Sequence, residues 1–473
     1  MFKKLTFWIL ILALGVIAVA CAPAPTATPV PPPPPTTAPA AAPTTAPAAA
    51  PTTAPVATAA PKPTEAPKPT EAPKPTEAPK PTVAPTAAAK DPYKGLTPAQ
   101  DAWAKAAQVG PYQPATLDWA AIQAAAVKEG KVVVYSNSSR WPDVQKTFEA
   151  KYPGVKVEGY DISGAEMLTK IKKEQQSGIY NVDVIFTSDP ATQINEMLYP
   201  PNKMEWAFVP DFLFPKVKTT DVIAPVDLSP IFVHHYAVYS WMYNNEVNKE
   251  APIKNWWDLT KPEWKGRITI KDPAVSSDSL NCFTTVTQHG DDMAKAYQAA
   301  FGKPITLDPG VRNAGYQWIK DLEKNQALMT GGGDDVATNI GTVGQKNPPV
   351  GYASWDKIRT AIPFGGKLAF DMMWNMQPVM GCFEQATLNM ANQAPHPNAA
   401  KLLIQWYMGD DQGQSGNAPY FIPGDNSPRK DVPIPKGGVT LSDLPKVVWF
   451  NDPDYVYANA IQVRDFWIAN LVK

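Results

Sequence analysis

Two hydrophobic periods alternate along the chain from residue 131 onward. Lys131 to Tyr135 is a short β-branched apolar run between Gly130 and the cluster Ser136-Asn137-Ser138-Ser139, which predicts a buried strand. Pro142 stands where a first helical turn would begin. Val144, Phe148 and Tyr152 then recur at four-residue spacing, one face of a helix that Pro153-Gly154 stops. Val155 and Val157 alternate with Lys156 and Glu158, a second strand. Ser163-Gly164-Ala165-Glu166 has capping-box spacing and opens a helix with Leu168 and Ile171 inward, ending near Gly178. Val182 to Phe186 reads as a third strand, closed by Thr187-Ser188-Asp189-Pro190.

Strand, helix, strand, helix, strand implies parallel pairing with right-handed crossovers. Three loops then share one sheet edge: 136–139, 161–165 and 187–189. Ligands of open α/β sheets bind at that carboxyl edge. Hydroxyls, the Asn137 amide and the N–H groups of helix N-termini suit an anionic or polyhydroxylated ligand. Asn137, Ser138, Ser163, Gly164, Ser188 and Asp189 are the candidates there. Each alone is equally a cap or turn residue; the three loops together point to a ligand edge.

The second half repeats the pattern. Residues 253–266 are rich in tryptophan (Trp256, Trp257, Trp264), and 267–271 alternate as a strand. Asp272-Pro273 and Ser276-Ser277-Asp278-Ser279 lead into a helix carrying Leu280, Cys282 and Phe283, with Ser276 a further candidate contact. Residues 311–325 predict a helix with Val311, Gly315, Trp318, Ile319 and Leu322 on its apolar side. Gly331-Gly332-Gly333-Asp334-Asp335 lacks the Lys-Ser/Thr of a phosphate-binding loop and reads as a turn at a cleft rim. Residues 350–354 are a strand that ends at Trp355-Asp356, and 397–408 a helix with Leu402, Leu403 and Trp406 inward.

The first ninety residues have a different character. Lys3 and Lys4 precede an apolar run, Leu5 to Ala20, and Cys21 follows it. The order is that of a signal segment over residues 1–20, with Cys21 as the new N-terminus. At about 16 residues the run is at or below the length needed to span a bilayer. Many of the 53 prolines lie before residue 90, and the repeat Lys-Pro-Thr-Glu-Ala-Pro starts at Lys62, Lys68 and Lys74. Such a tract has almost nothing to bury. We expect a semi-extended spacer over 21–105, with a reach on the order of 200 Å at ~3.1 Å per residue. The remaining ~380 residues are too many for one core and suggest two lobes.

Net charge is −1, so nothing in the composition favours a nucleic-acid partner or a polybasic membrane surface. Besides Cys21 there are only Cys282 and Cys382. Two cysteines in an oxidising compartment can pair, but spacing does not tell whether their Cα atoms come within reach. There is no G-x-S-x-G elbow, no H-E-x-x-H and no CxxC pair. With four histidines, an acid–base centre would have to rest on carboxylates. No enzyme, cofactor or resident metal is expected. His234-His235 lies in a strand-like run, so the two side chains should point to opposite faces, one packed and one exposed.

Ala18-Val19-Ala20-Cys21 resembles a bacterial lipoprotein signal, with Ala18 where leucine is commoner. Collinear segments across roughly 129–410 resemble the extracytoplasmic solute-binding proteins of ABC importers, most closely the ferric-ion-type group. They are 129–135, 148–157, Ser163-Gly164-Ala165-Glu166, Asp183-Val184 with Thr187-Ser188-Asp189, Tyr243-Asn244, 257–267, 270–273 and 394–402. The resemblance implies an α/β, two-lobed type II periplasmic binding fold with hinge strands and a ligand in the interlobe cleft. Residues 110–235 and 375–440 would form one lobe and 236–374 the other, with 441–473 a C-terminal helical segment of open placement. It further implies a protein that closes on a small solute and passes it to an ABC permease; with the lipoprotein-like signal, we expect a monomer that is lipid-anchored to the outer face of the cytoplasmic membrane, or periplasmic. A sensory binding protein would share the fold and differ only in its docking partner.

Iron-binding members place two consecutive tyrosines just before a tryptophan in the second lobe. Here Ala353 and Ser354 precede Trp355, and Tyr352 stands alone. Ferric iron needs several hard oxygen ligands together. A small polar organic solute is therefore the expectation and iron the alternative, with Trp141, Tyr352 and Trp355 available to stack on the solute.

Overall fold

The computed structural model describes residues 91–207, 231–410 and 412–471. The signal segment, Cys21 and most of the spacer lie outside these residues. The folded part starts earlier than the spacer expectation allows. A helix, Pro98–Ala107, is closed by a reciprocal capping box between Thr97 and Gln100 and buries Gln100, Ala104 and Ala107. Alanine-rich composition with Trp103 on one side suffices for a packed helix once prolines stop recurring.

Among the described residues, twelve strands form one sheet. They are β1 (Lys131–Ser136), β2 (Lys156–Asp161), β3 (Val184–Thr187), β4 (Glu205–Trp206), β5 (Val233–Tyr243), β6 (Ile268–Lys271), β7 (Leu328–Thr330), β8 (Val350–Ser354), β9 (Asp371–Met372), β10 (Gly381–Ala391), β11 (Asp425–Asn426) and β12 (Val448–Phe450). The main path runs β2-β1-β3-β10-β5-β8-β6-β7. β1 is parallel to β2 and β3, and β6 is parallel to β7 and β8. Between these sets, β10 and β5 run antiparallel as two long strands, buried at every position. The result is two α/β lobes joined by a pair of strands.

Each lobe has its own core. Val132, Val134, Val144, Phe148 and Phe186 pack with Leu403 and Tyr407 on one face of the first lobe, while Val133, Tyr135, Ile171 and Ile185 pack on the other. Both faces of β1 are covered, which is why its apolar run is continuous rather than alternating. The second core holds Trp241, Trp256, Trp257, Trp318, Tyr352 and Trp355. The helix read over 311–325 is shorter, Ala314–Glu323, because the Asn313 side chain accepts from the amides of Gly315 and Tyr316 and sets the start there. The C-terminal helix, Pro453–Asn470, inserts Val463 and Trp467 into the second core. Trp467 Nε1 donates to Asp272 Oδ1 at 3.1 Å.

Two further points bear on the sequence reading. Cys282, on the helix Ser277–Gln288, is bonded to Cys382 of β10, with Cα atoms 5.7 Å apart. His234 and His235 are both buried, and their Nδ1 atoms are 2.8 Å apart. The expectation of opposite faces fails because the β5–β10 register slips between Ala386 and Thr387. The bulge sets two residues against one and turns both rings to the same side.

Candidate solute site

The carboxyl ends of the parallel strands from both lobes enclose a cavity of about 380 Å³. From the first lobe come Asn137 and Ser138 after β1, Ser163 and Gly164 after β2, and Ser188 after β3. From the second come Lys271 and Ser276 after β6, Gly331 to Asp334 after β7, and Asp356 and Lys357 after β8. His235 and Asp425 form part of the floor.

Four helices begin at the wall: Trp141–Lys151, Gly164–Gln176, Ser277–Gln288 and Gly333–Gly341. None carries a side-chain capping hydrogen bond. Away from the cavity, Thr97, Asp118, Asn313 and Asp452 each cap their helix. Ser163 is at the N-cap position but does not make the capping-box bond its spacing suggests, so its hydroxyl is not committed to its own helix. At Trp141–Lys151 the first-turn N–H groups are already used, Trp141 N donating to Ser138 O at 3.4 Å and Asp143 N to Arg140 O at 3.1 Å, with Pro142 having none. The starts of Gly164–Gln176, Ser277–Gln288 and Gly333–Gly341 line the cavity, each with the positive end of a helix dipole behind it.

Charged side chains are paired around this ring. Lys271 meets Asp278 at 2.8 Å and Lys357 meets Asp334 at 3.1 Å. Arg140 is the central cation. Its Nη1 donates to Asp425 and, at 3.2 Å, to the Pro419 carbonyl, and its guanidinium lies 4.0 Å over the Tyr420 ring. Its Nη2 stands 3.5 Å from Asp356, which is also held by Arg359 and Ser354. Burial alone would raise the Asp356 carboxyl, but Arg140, Lys357 and Arg359 together hold it well below the usual carboxylate range. Asp278, Asp334, Asp356 and Asp425 are thus each tied to a cation rather than grouped as a hard-oxygen ligand set.

Of the ten residues proposed from sequence as solute contacts, six line the cavity: Asn137, Ser138, Ser163, Gly164, Ser188 and Ser276. Four do not. Asp189 is buried and accepts from Thr192 N and Oγ1 at 3.1 and 3.0 Å, capping the next short helix. The Trp141 ring packs on Gly159 of β2, leaving no room there for a Cβ. Tyr352 is 1% exposed, wedged 5.3 Å from Trp241, and Trp355 is 2% exposed against Trp374 and Gly424. Neither presents a face for stacking, because the second core recruits both rings. Sequence reasoning missed Arg140, Lys271 and Lys357. A signal was available for Arg140: a cation directly ahead of a helix opposes its dipole.

A second cavity of the same size lies behind Tyr420, His235 and Asp425, lined by Phe421, Val432, Pro433, Ile434 and Leu441.

Residues 143–418 match the family model described as bacterial extracellular solute-binding protein. The chain belongs to that family. This solute-binding protein acts outside the cytoplasm as the capture component of an ABC uptake system, and it is not an enzyme. Solved structures agree in fold. The periplasmic binding protein AfuA from Actinobacillus pleuropneumoniae, with fructose-6-phosphate bound, is 20% identical over 72% of this chain and 98% of that one, with a TM-score of 0.52. Iron-bound HitA from Pseudomonas aeruginosa is 13% identical over 71% and 99%, also at 0.52. The shared fold is the two-lobed type II periplasmic binding architecture. No curated protein sequence matches the chain.

Proposed function

We propose that this solute-binding protein captures a small polar organic solute with an anionic group, the N-termini of Gly164–Gln176, Ser277–Gln288 and Gly333–Gly341 and Arg140 receiving the anion. The convergence of three helix N-termini without side-chain caps on one cavity, beside Arg140, is the observation that carries this reading. Backbone N–H groups and helix dipoles favour negative charge at such a point. Hydroxyls of Ser138, Ser163, Ser188 and Ser276, with the Asn137 amide, serve neutral polar parts of the solute. The two lobes close about the β5 and β10 strands. Cys21 is lipidated, and the proline-rich spacer lets the monomeric binding lobes reach the permease while holding them at high effective concentration.

A thermal-shift screen of organic acids, phosphorylated and free polyols, and ferric salts tests the reading. An anionic organic solute at 100 times its Kd adds ~2.7 kcal/mol to stability. Stabilisation by ferric salts alone would overturn it.

A further inference from the structure

The ion pair between Arg140 and Asp356 crosses from one lobe to the other. Arg140 precedes the helix whose Val144 and Phe148 lie in the first core, while Asp356 sits between Trp355 and Ile358 of the second. Both side chains line the solute cavity.

Neither residue depends on the other for its charge balance. Without Asp356, Arg140 keeps the Pro419 carbonyl and the Tyr420 ring, and Asp425 on β11, which pairs with the joining strand β5. Without Arg140, Asp356 keeps Arg359 and Ser354. Breaking a buried pair is costly mainly when it strands an uncompensated charge. Here it strands none. At 3.5 Å the cross-cleft contact is also longer than the 2.7–2.9 Å of a strong charge-assisted hydrogen bond. It is the looser contact of Arg140 and the one whose loss costs least.

We propose that Asp356 is an internal stand-in for the anionic group of the solute: it pairs with Arg140 across the cleft, draws the lobes together, and gives Arg140 up to a solute anion. The stand-in role rests on the anionic reading of the site; the latch itself does not. The lobes also come close at a second place, since a Cβ on Gly164 would lie 3.2 Å from Ser277 Oγ on the facing wall. The binding protein would then visit its closed form without solute. A solute would exchange one anion for another at Arg140 rather than build the contact anew, so part of the binding energy goes to displacing Asp356.

Distance measurement between spin labels tests this. The full chain with Cys21→Ser carries labels at Lys173→Cys on the helix Gly164–Gln176 and Thr338→Cys on the helix Gly333–Gly341. Both positions are exposed, one in each lobe. With no solute added, Asp356→Asn shifts the distance distribution to longer values and broadens it. Arg140→Gln does the same, with circular dichroism confirming that each variant is folded. Identical distributions in the parent and both variants would overturn the latch. Because no solute is present, this outcome is independent of the screen that tests the anionic reading.

Discussion

Gly164 leaves little space to Ser277, at the first turn of a helix from the opposite lobe: a Cβ on Gly164 would lie 3.2 Å from Ser277 Oγ and 3.5 Å from Thr187 Oγ1. The position is ordinary helical backbone, so alanine fits the chain there, and what it meets is the opposite wall. Gly164→Ala should keep the melting temperature while weakening solute binding, and Gly164→Leu should abolish it. One methyl group in a binding pocket is worth about 1–3 kcal/mol, roughly 10–200-fold. Calorimetric titration with the solute that emerges from the screen checks this; equal affinity in both variants would remove Gly164 from the cleft wall.

The two carboxylates on Arg140 should differ in weight. Asp425 is buried with no other cation as close, whereas Asp356 has Arg359. Asp425→Ala, which leaves Arg140 short of its main partner, should cost roughly 3–5 kcal/mol in urea unfolding. Asp356→Asn should cost clearly less. The reverse order would mean that Asp356, not Asp425, holds the guanidinium in place.

Cys282 and Cys382 are 100 residues apart in sequence and join a cavity-lining helix to β10. On the chain-entropy view, closing a loop of that length stabilises by ~4.7 kcal/mol. A Cys282→Ser, Cys382→Ser double variant should lose about 3–5 kcal/mol, and reductant should no longer change its unfolding midpoint.

Glu384 on β10 is buried, with Asn281 and Asn451 each donating to Oε2 at 3.0 Å. Burial, set against those two bonds, pushes its carboxyl up from 4.5 to about 8. Between those values the folded chain holds a proton that the unfolded chain has released. The contribution is therefore complete below pH 4.5 and lost as pH rises toward about 8. Glu384→Gln keeps an acceptor for both amides and should flatten this decline, gaining on the order of 1–3 kcal/mol at pH 8. Parallel pH profiles of stability for the two proteins would refute it.

Replacing Cys21, the proposed lipid attachment point, should move the protein without changing what it binds. Cys21→Ser should appear in the soluble fraction of cells that hold the parent in the membrane fraction, with the same thermal-shift response to solutes. Retention of the variant in the membrane would show that something other than Cys21 anchors it.

Much of the first lobe was legible from its periods. The observed β1 and the helix Pro397–Met408 follow the read runs closely, and all three loops named as a ligand edge reach the cavity. Legibility failed where a side chain had two physical uses. Tyr352 and Trp355 are as good for a core as for a cleft, and only the surrounding tryptophans tell which. His234 and His235 followed the simple two-residue period until a bulge broke it. Asp189 and Trp141 sit at the right edge, yet one turns back to cap and the other packs on Gly159.

What the sequence determined by itself was local: the order of strands and helices and which face of each is buried. Periodicity and composition act over a few residues, so these could be read without knowing the neighbours. Only the tertiary structure decided which residues share the cavity. Arg140, Lys271, Asp356 and Asp425 are separated by up to hundreds of positions, and their meeting depends on how two cores pack and how β5 and β10 join them. That is a property of the whole burial pattern, since a charge is tolerated at each of these places only because another part of the chain brings its partner there.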